Sequence, residues 1–309
     1  MSKTKYTTRA NKINPDFVTG FSDAESCFTL VISKNPRHNL GWSVKLVFNI
    51  HLHSNDIDLL YLIQRFFGVG NVTLHGDTAL YQVIKLSDLA CVIEHFNNHP
   101  LKTQKFADFL LFKKAFYIVK SKEHLTKEGL LDLISLRATL NQGLPERLET
   151  AFPKIIPVTR PEVKTTLELN KSEVKQWVAG FVTGEGCFFI KTSKSKTHKL
   201  GTSVTLNFII VQNIRDAYLM ESFVQFFGCG SFSIAEKSGI ARFTVSNFSD
   251  IANTIIPTFE EYPILGKKAQ DFEDLKEASG LIKSKAHLDK EGLDKIILIK
   301  SRMNSKRGL

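Results

Sequence analysis

The sequence predicts an α+β fold built twice over. Each half reads as a leading helix, a four-stranded antiparallel sheet made of two hairpins, and flanking helices, with the two leading helices packed at the centre. Three observations carry that prediction. Asn14-Pro15-Asp16-Phe17-Val18-Thr19-Gly20-Phe21-Ser22-Asp23-Ala24-Glu25 is answered by Trp177-Val178-Ala179-Gly180-Phe181-Val182-Thr183-Gly184-Glu185. Arg65-Phe66-Phe67-Gly68-Val69-Gly70 is answered at the same spacing by Gln225-Phe226-Phe227-Gly228-Cys229-Gly230. Residues 26–55 and 186–215, which follow the two leading stretches, contain no acid, although Asp and Glu fill 31 of 309 positions.

The leading stretches read as helices. Asn14 is placed to cap the first, with Pro15 in its first turn, and Ser172 is placed to cap the second. Phe17 with Phe21, and Trp177 with Phe181, give each an apolar stripe at helical spacing. Gly20 and Ala24, then Gly180 and Gly184, put small residues one turn apart, although a glycine inside a helix costs roughly 1 kcal/mol against alanine. Close approach of two backbones offsets that cost, so the two helices are expected to pack on these positions. Each helix ends in a carboxylate, Glu25 or Glu185, where the helix dipole is already negative. Two such ends side by side repel, which points to a cation between them.

After Glu25 the pattern alternates as in a strand. Phe28, Leu30 and Ile32 face one way, residues 35–39 turn, and Val44, Leu46, Phe48 and Ile50 resume the alternation. A helix is expected over about 56–67, then a second hairpin over 71–85 turning near Gly76-Asp77, then helices near 88–97, 101–119 and 127–140. The second half repeats this order. Late in each half Ser121-Lys122-Glu123-His124-Leu125 is answered by Ser284-Lys285-Ala286-His287-Leu288, a loop and helix start capped by Thr126 or Asp289. The expected division is a first repeat at 1–141, a linker at 142–171 marked by Pro145, Pro153, Pro157 and Pro161, and a second repeat at 172–309. Residues 1–13 carry Lys3, Lys5, Arg9 and Lys12 with no acid and no apolar face, and read as a basic disordered arm.

A hydrophobic content of 43% with 24 Phe can fill a sizeable core, and no apolar run approaches the ~20 residues of a membrane span. A formal net charge of +10 with a pI of about 9.3 favours a polyanionic partner. Cys27, Cys91, Cys187 and Cys229 form no CxxC pair, which supports neither a zinc site nor a disulfide framework and fits a reducing compartment. His51 and His53 fall in an alternating stretch and read as surface strand.

The acid-free hairpins then look like a groove-binding surface. Opposite their core faces stand Thr29, Val31, Ser33, Ser43, Lys45 and Asn49, and in the second half Phe189, Lys191, Ser193, Ser203, Thr205 and Asn207. Asn35, Arg37 and His38, with Lys194 and Lys196, sit in the loops that would reach outer phosphates. The second hairpins add Asn71, Thr73, His75, Tyr81 and Lys85, then Ser231, Ser233, Lys237, Arg242 and Thr244. Cationic and amide side chains at period two suit base edges and phosphates in a major groove. A strand of ~10 residues covers roughly 33 Å, about ten base pairs, so two halves span about twenty. Because the halves differ, the expected double-stranded target is asymmetric.

These residues together resemble a single-chain LAGLIDADG homing endonuclease of the fungal mitochondrial intron-encoded type. Gly20-Phe21-Ser22-Asp23-Ala24-Glu25 and Ala179-Gly180-Phe181-Val182-Thr183-Gly184-Glu185 look like its two motifs, and the resemblance extends to the Gly-x-Gly hairpin starts and the 99–105 region. It implies a monomer in a mitochondrial setting that makes a double-strand break in DNA. It also implies Mg²⁺ held by Glu25 and Glu185, with Ser26 and Gly184 supplying backbone oxygens; Ser26 stands where the family usually has Gly, as at Gly186. Gln212 is similar to the family's water-positioning glutamine, while its counterpart is Leu52. Lys105 and Lys268 resemble the basic residue that polarises water or steadies phosphate charge; a plain surface charge remains the alternative for each. Asp23, matched by Thr183, reads as structural. Two further functional readings stay open: an RNA maturase that assists splicing of its host intron, and a catalytically silent DNA-binding protein.

Overall fold

The computed structural model describes residues 13–141, 143–169 and 171–304; the expected basic arm, apart from Ile13, lies outside them. The first half runs α1 (Pro15–Glu25), β1 (Ser26–Lys34), β2 (Trp42–His53), α2 (Ile57–Phe67), β3 (Asn71–His75), β4 (Thr78–Val83), α3 (Leu86–Asn98), α4 (Lys105–Lys120) and α5 (Lys127–Thr139). A short α6 (Glu146–Ala151) stands between the halves. The second half repeats the first as α7 (Ser172–Glu185), β5 (Gly186–Lys194), β6 (Thr202–Asn213), α8 (Ala217–Phe227), β7 (Ser231–Ala235) and β8 (Ile240–Val245). α9 (Phe248–Asp250) and α10 (Ile256–Glu261) follow, joined by a π-helical turn, then α11 (Lys267–Lys283) and α12 (Lys290–Ser301).

Both sheets are four-stranded and antiparallel, ordered β1-β2-β4-β3 and β5-β6-β8-β7. One face of each sheet is closed by helices over a phenylalanine-rich core. Phe28 packs on Phe48 at 5.3 Å and on Phe112 at 5.3 Å between ring centroids, and Phe188 packs on Phe208 at 4.9 Å. The second residue set of each strand is left facing outward, as the period of two requires.

α1 and α7 pack against each other along the glycines. A methyl group at Gly20 would overlap the Trp177 carbonyl oxygen, and one at Gly180 would overlap the Phe17 carbonyl oxygen. Backbone therefore touches backbone, which explains why a helix tolerates glycine there. Asn14 caps α1 through its side-chain oxygen, accepting from Asp16 N at 2.8 Å. Ser172 does not cap α7: it is the first helical residue, the capping position is Lys171, and no side chain closes that end. Thr126 and Asp289 cap α5 and α12 as expected, accepting from Gly129 N and Gly292 N.

Asp23 is buried at the helix crossing. It accepts from Lys102 N, Thr103 N, Thr103 Oγ1 and, across the interface, Trp177 Nε1 at 2.8 Å. Burial pushes its carboxyl up while those donors pull it back. With every close partner donating, the carboxylate form satisfies the site, and Asp23 is a structural residue as its mismatch with Thr183 implies.

The proline-marked segment between the halves is not a loose tether. Leu148 is buried in the first core, Trp42 packs on Phe152 at 5.2 Å, and Arg160 Nη1 donates to the buried Asp108 at 2.7 Å. Gln104 Nε2 donates to Val163 O at 2.7 Å, and Leu167, buried in the second core, donates its N–H to Ser222 Oγ at 3.1 Å. Extended chain leaves its backbone groups to be satisfied elsewhere, and here side chains of both halves do it.

Candidate active site

α1 and α7 run side by side and end together, so Glu25 and Glu185 emerge at one place. A methyl group built on Gly184 would lie 3.1 Å from a Glu25 carboxylate oxygen, which shows how closely the first helix's acid covers the second helix's last turn. Both carboxylates are largely buried. Burial raises the Glu25 pKa, against the pull of Lys268 and Lys105. Burial and then the Glu25 charge push Glu185 up to about 7, again against the two lysines.

A helix C-terminus leaves its last carbonyls without partners, and the dipole there favours cations. Lysines meet both needs. Lys105, the first residue of α4, donates from Nζ to Ser22 O at 3.0 Å and Ala24 O at 3.3 Å. Lys268, in the first turn of α11, donates from Nζ to Gly184 O. Neither lysine is a solvated surface charge. Burial lowers both ammonium pKa values, and the surrounding acids, Asp23 foremost at Lys105 and Glu25 foremost at Lys268, oppose that fall.

Gln212, at the end of β6, donates from Nε2 to Glu185 Oε1 at 2.9 Å, and its own carbonyl accepts from Asn213 N at 3.1 Å. The counterpart Leu52 lines a cleft of ≈ 600 Å³ beside Glu25 together with His51, His53, Asp56, Asp77 and Lys268. The two ends of the site therefore differ by one amide. Ser26 keeps its hydroxyl turned back onto its own helix, donating to Ser22 O at 2.6 Å. The Gly184 carbonyl accepts from the Lys268 ammonium in this structure, which engages one of its two lone pairs.

The donor set still fits a hard divalent cation. Two carboxylates whose proximity already raises one pKa gain from a shared positive charge, and oxygen ligands are what such ions take. Among the described residues no group of three or more His, Cys, Asp and Glu side chains is arranged to hold an ion. Water, backbone and substrate oxygens would complete the shell.

The outer sheet faces flank this centre. In the first half Thr29 lies opposite Val47, Val31 opposite Lys45, and Ser33 opposite Ser43, while Asn71 and Thr73 share the face from β3. His75 is exposed at the end of the edge strand β3, whereas Lys85, also exposed, lies past the end of β4 at the capping position of α3 rather than on the sheet, and Asn35, Arg37 and His38 form the β1–β2 loop, ordered by Arg37 N donating to Asn35 Oδ1. In the second half Phe189 lies opposite Asn207, Lys191 opposite Thr205, Ser193 opposite Ser203, Arg242 opposite Ser233, and Thr244 opposite Ser231. Lys194, Lys196 and Lys237 are exposed at that half's loops and edge.

Tyr81 does not belong to this surface. It is fully buried on the core face, with its hydroxyl donating to Val69 O at 2.9 Å and its ring 6.2 Å from Phe67. The outward residues of β4 are Thr78, Leu80 and Gln82; Gln82 stands opposite both Asn49 and Asn71 and was missed. Counting from the Gly76-Asp77 turn would have found it, because a one-residue slip exchanges the faces. Asn49 and Asn207, at 9% and 7% exposure, lie at the floor of the outer faces rather than on their accessible rim.

Comparison with known proteins agrees with this architecture. The chain is similar to probable intron-encoded endonuclease 2 of Neurospora crassa, 39% identical over 302 residues that cover 94% of this chain and 65% of that protein. It is also similar to probable intron-encoded endonuclease 3 of the same fungus, 36% identical over 295 residues covering 94% of this chain and 54% of that one. The chain thus spans between half and two thirds of the length of these curated relatives. Among solved structures it is similar to the LAGLIDADG homing endonuclease I-SmaMI bound to cleaved DNA, with a TM-score of 0.91 and 38% identity over 96% of this chain and 98% of that chain. The same protein is known on an uncleaved DNA target in the presence of calcium ions. Since the LAGLIDADG endonuclease pattern matches residues 18–116 and 178–279, covering both repeats, the chain belongs to the LAGLIDADG endonuclease family.

Proposed function

We propose that this protein is a monomeric, site-specific DNA endonuclease that makes a double-strand break at an asymmetric target of about twenty base pairs, in a mitochondrial intron-homing setting. The reading includes the division into two repeats, 1–141 and 172–309, joined by 142–171. The observation that carries it is the pair of carboxylates, Glu25 and Glu185, placed where the two helix ends meet between two outward sheet faces that open with acid-free hairpins.

The roles follow from the chemistry of each group. Glu25 and Glu185 hold Mg²⁺, with backbone oxygens such as those of Ser26 and Gly184 as further candidates. When bound, the ions supply an activated water and neutralise the departing 3′ oxygen. Gln212 orients Glu185 through its amide and leaves one N–H free for a water. Lys105 and Lys268 bring positive charge to the phosphate as negative charge develops on it. Residues of the outer faces, with Gln82 added and Tyr81 removed, track the major groove, and the exposed Lys and Arg side chains meet phosphates.

The test is cleavage selection from a randomised duplex library in Mg²⁺, with Glu185→Gln alongside. One asymmetric site cut only by the unsubstituted protein is the expected outcome. Cleavage by both proteins overturns the carboxylate assignment. Tight binding to host intron RNA with no DNA cleavage by either overturns the endonuclease reading in favour of a maturase.

A further inference from the structure

The helices that carry the two buried lysines begin in an unusual way. A helix N-terminus normally has its free N–H groups taken by the side chain of the capping residue before it. α4 has Gln104 at that position, and its side chain makes no cap bond. α11 has Gly266, with no side chain to offer. In α4 the first helical N–H, that of Lys105, goes to Thr103 Oγ1 at 3.1 Å, and in both helices an aspartate of the opposite half takes the N–H of the residue just before the lysine. Asp216 Oδ1 accepts from Gln104 N at 2.7 Å, and Asp56 Oδ1 accepts from Lys267 N at 2.7 Å.

These aspartates would be expected to serve their own helices. Asp56 occupies the capping position of α2 and Asp216 that of α8, yet neither side chain makes a cap bond there. Each turns across the interface instead. The repeat is the same on both sides: each aspartate closes the 3₁₀ turn after the second strand of its half. Gly266 adds an independent sign of fit, since a methyl group there would lie 2.7 Å from Asp56 Oδ1. The capping residue of α11 thus leaves room for the aspartate that replaces it. Each lysine loop is also held by its own motif helix, through Asp23 on Lys102 N and Thr103 N, and through Thr183 Oγ1, which accepts from Leu265 N at 3.3 Å.

We propose that Asp216 and Asp56 are positioning residues that set Lys105 and Lys268, each acting from the opposite half of the chain. The proposal rests on the endonuclease reading for the role of the lysines. The aspartate side chains bond to the backbone before each lysine, and so fix the first turn from which each lysine reaches the end of its motif helix. A lysine and its site are therefore complete only when the two halves are closed on each other.

The experiment is single-turnover cleavage of a target labelled separately on its two strands. Asp216→Ala and Asp56→Ala are compared with Lys105→Ala and Lys268→Ala, and with Asp→Asn at each aspartate, which keeps an oxygen that can accept the same N–H. Asp216→Ala is expected to reproduce the strand profile of Lys105→Ala, and Asp56→Ala that of Lys268→Ala. The slowing expected from a small displacement of a reacting group is between about ten- and a hundredfold, with DNA affinity unchanged. Asn restores the rate to within a few fold. Combining Asp216→Ala with Lys105→Ala adds nothing to the lysine change alone, whereas combining it with Lys268→Ala multiplies the two effects.

A strand profile of Asp216→Ala that differs from that of Lys105→Ala, or multiplication of Asp216→Ala with Lys105→Ala, overturns the proposal. A second measurement reads the same link without any cleavage. In ¹⁵N-lysine spectra of the metal-free protein, Asp216→Ala should move the Lys105 ammonium signal and leave that of Lys268 in place; no movement of Lys105 refutes the positioning role. If the unsubstituted protein cuts no target, the endonuclease reading fails, and the spectra still decide whether the aspartates place the lysines.

Discussion

Replacing Glu185 by Gln should make the free protein more stable while it abolishes cleavage. Glu185 titrates at about 7 in the folded protein against an ordinary value of 4.5, first because it is buried and next because Glu25 is charged beside it. The folded state therefore holds this proton more tightly than the unfolded chain does. Raising the pH through the window from about 4.5 to about 7 strips a proton the folded state favours, and stability falls across that window. The gap is worth up to about 3 kcal/mol, which corresponds to roughly 5 °C in midpoint for a chain of this size. Glu185→Gln removes the charge, keeps the shape and escapes the loss. The assay is thermal unfolding from pH 4 to 9 in the presence of a chelator, with and without Mg²⁺ restored. The variant should match the parent at pH 4, exceed it above pH 7, and gain less than the parent when Mg²⁺ is added, since binding to the folded state alone stabilises. Parallel midpoints for the two proteins across the whole pH range would refute the reasoning, because the carboxylate would then carry no stored repulsion for an ion to relieve.

Other outcomes follow from the same geometry. Gly20→Ala places a methyl group on the Trp177 carbonyl and should lower stability by about 3 kcal/mol or more, visible as a falling urea midpoint; an unchanged midpoint would mean the helices are farther apart than described. Asp23→Ala strands four donors at the helix crossing and should cost roughly 3–5 kcal/mol, with a loss of Trp177 fluorescence environment as an independent sign. Arg160→Ala leaves the buried Asp108 without its 2.7 Å partner and should destabilise by about 3 kcal/mol, read as a lower urea midpoint; an unchanged midpoint would mean that the pair contributes nothing to holding residues 142–171 on the first half. Lys191→Ala or Arg242→Ala should weaken DNA binding and reduce the slope of log affinity against log salt by about one; an unchanged slope would remove that residue from the phosphate contacts.

Much of the architecture is legible because it is written twice. Gly20 with Gly180 and Glu25 with Glu185 each violate a helix preference, and a violation repeated at equivalent positions marks a packing or chemical demand. The alternation of β1 and β2 gave their faces directly, since Phe28, Leu30 and Ile32 differ so sharply from Thr29 and Ser33. Tyr81 was harder because a tyrosine suits either face: its ring fills a core and its hydroxyl finds a backbone acceptor. Ser172 failed as a cap because sequence shows which residue can cap a helix, not where the first turn starts. The burial of Lys105 and Lys268 depends on what lies above a helix terminus, and the partners of Asp56 and Asp216 are more than two hundred and more than one hundred residues away in sequence. No local pattern records such pairs. The prolines of residues 142–171 signal extended chain, which holds over 155–168 but not over 146–151, where Pro145 stands at the capping position of α6; they say nothing of what the chain lies against.

That last segment bears on recombination between relatives. By sequence alone, a chimera made by exchanging whole repeats between two such proteins could cross over anywhere between the helices α5 and α7. The seams argue otherwise. Trp42, Asp108 and Gln104 lay claim to the connecting chain as far as Val163, whereas Leu167 answers to Ser222 in the other half. A graft joined between Val163 and Leu167 carries each side chain with its own acceptor; one joined upstream mixes ancestries within a single set of contacts. Where evolution has shuffled halves in this way, surviving junctions should therefore gather in those few residues.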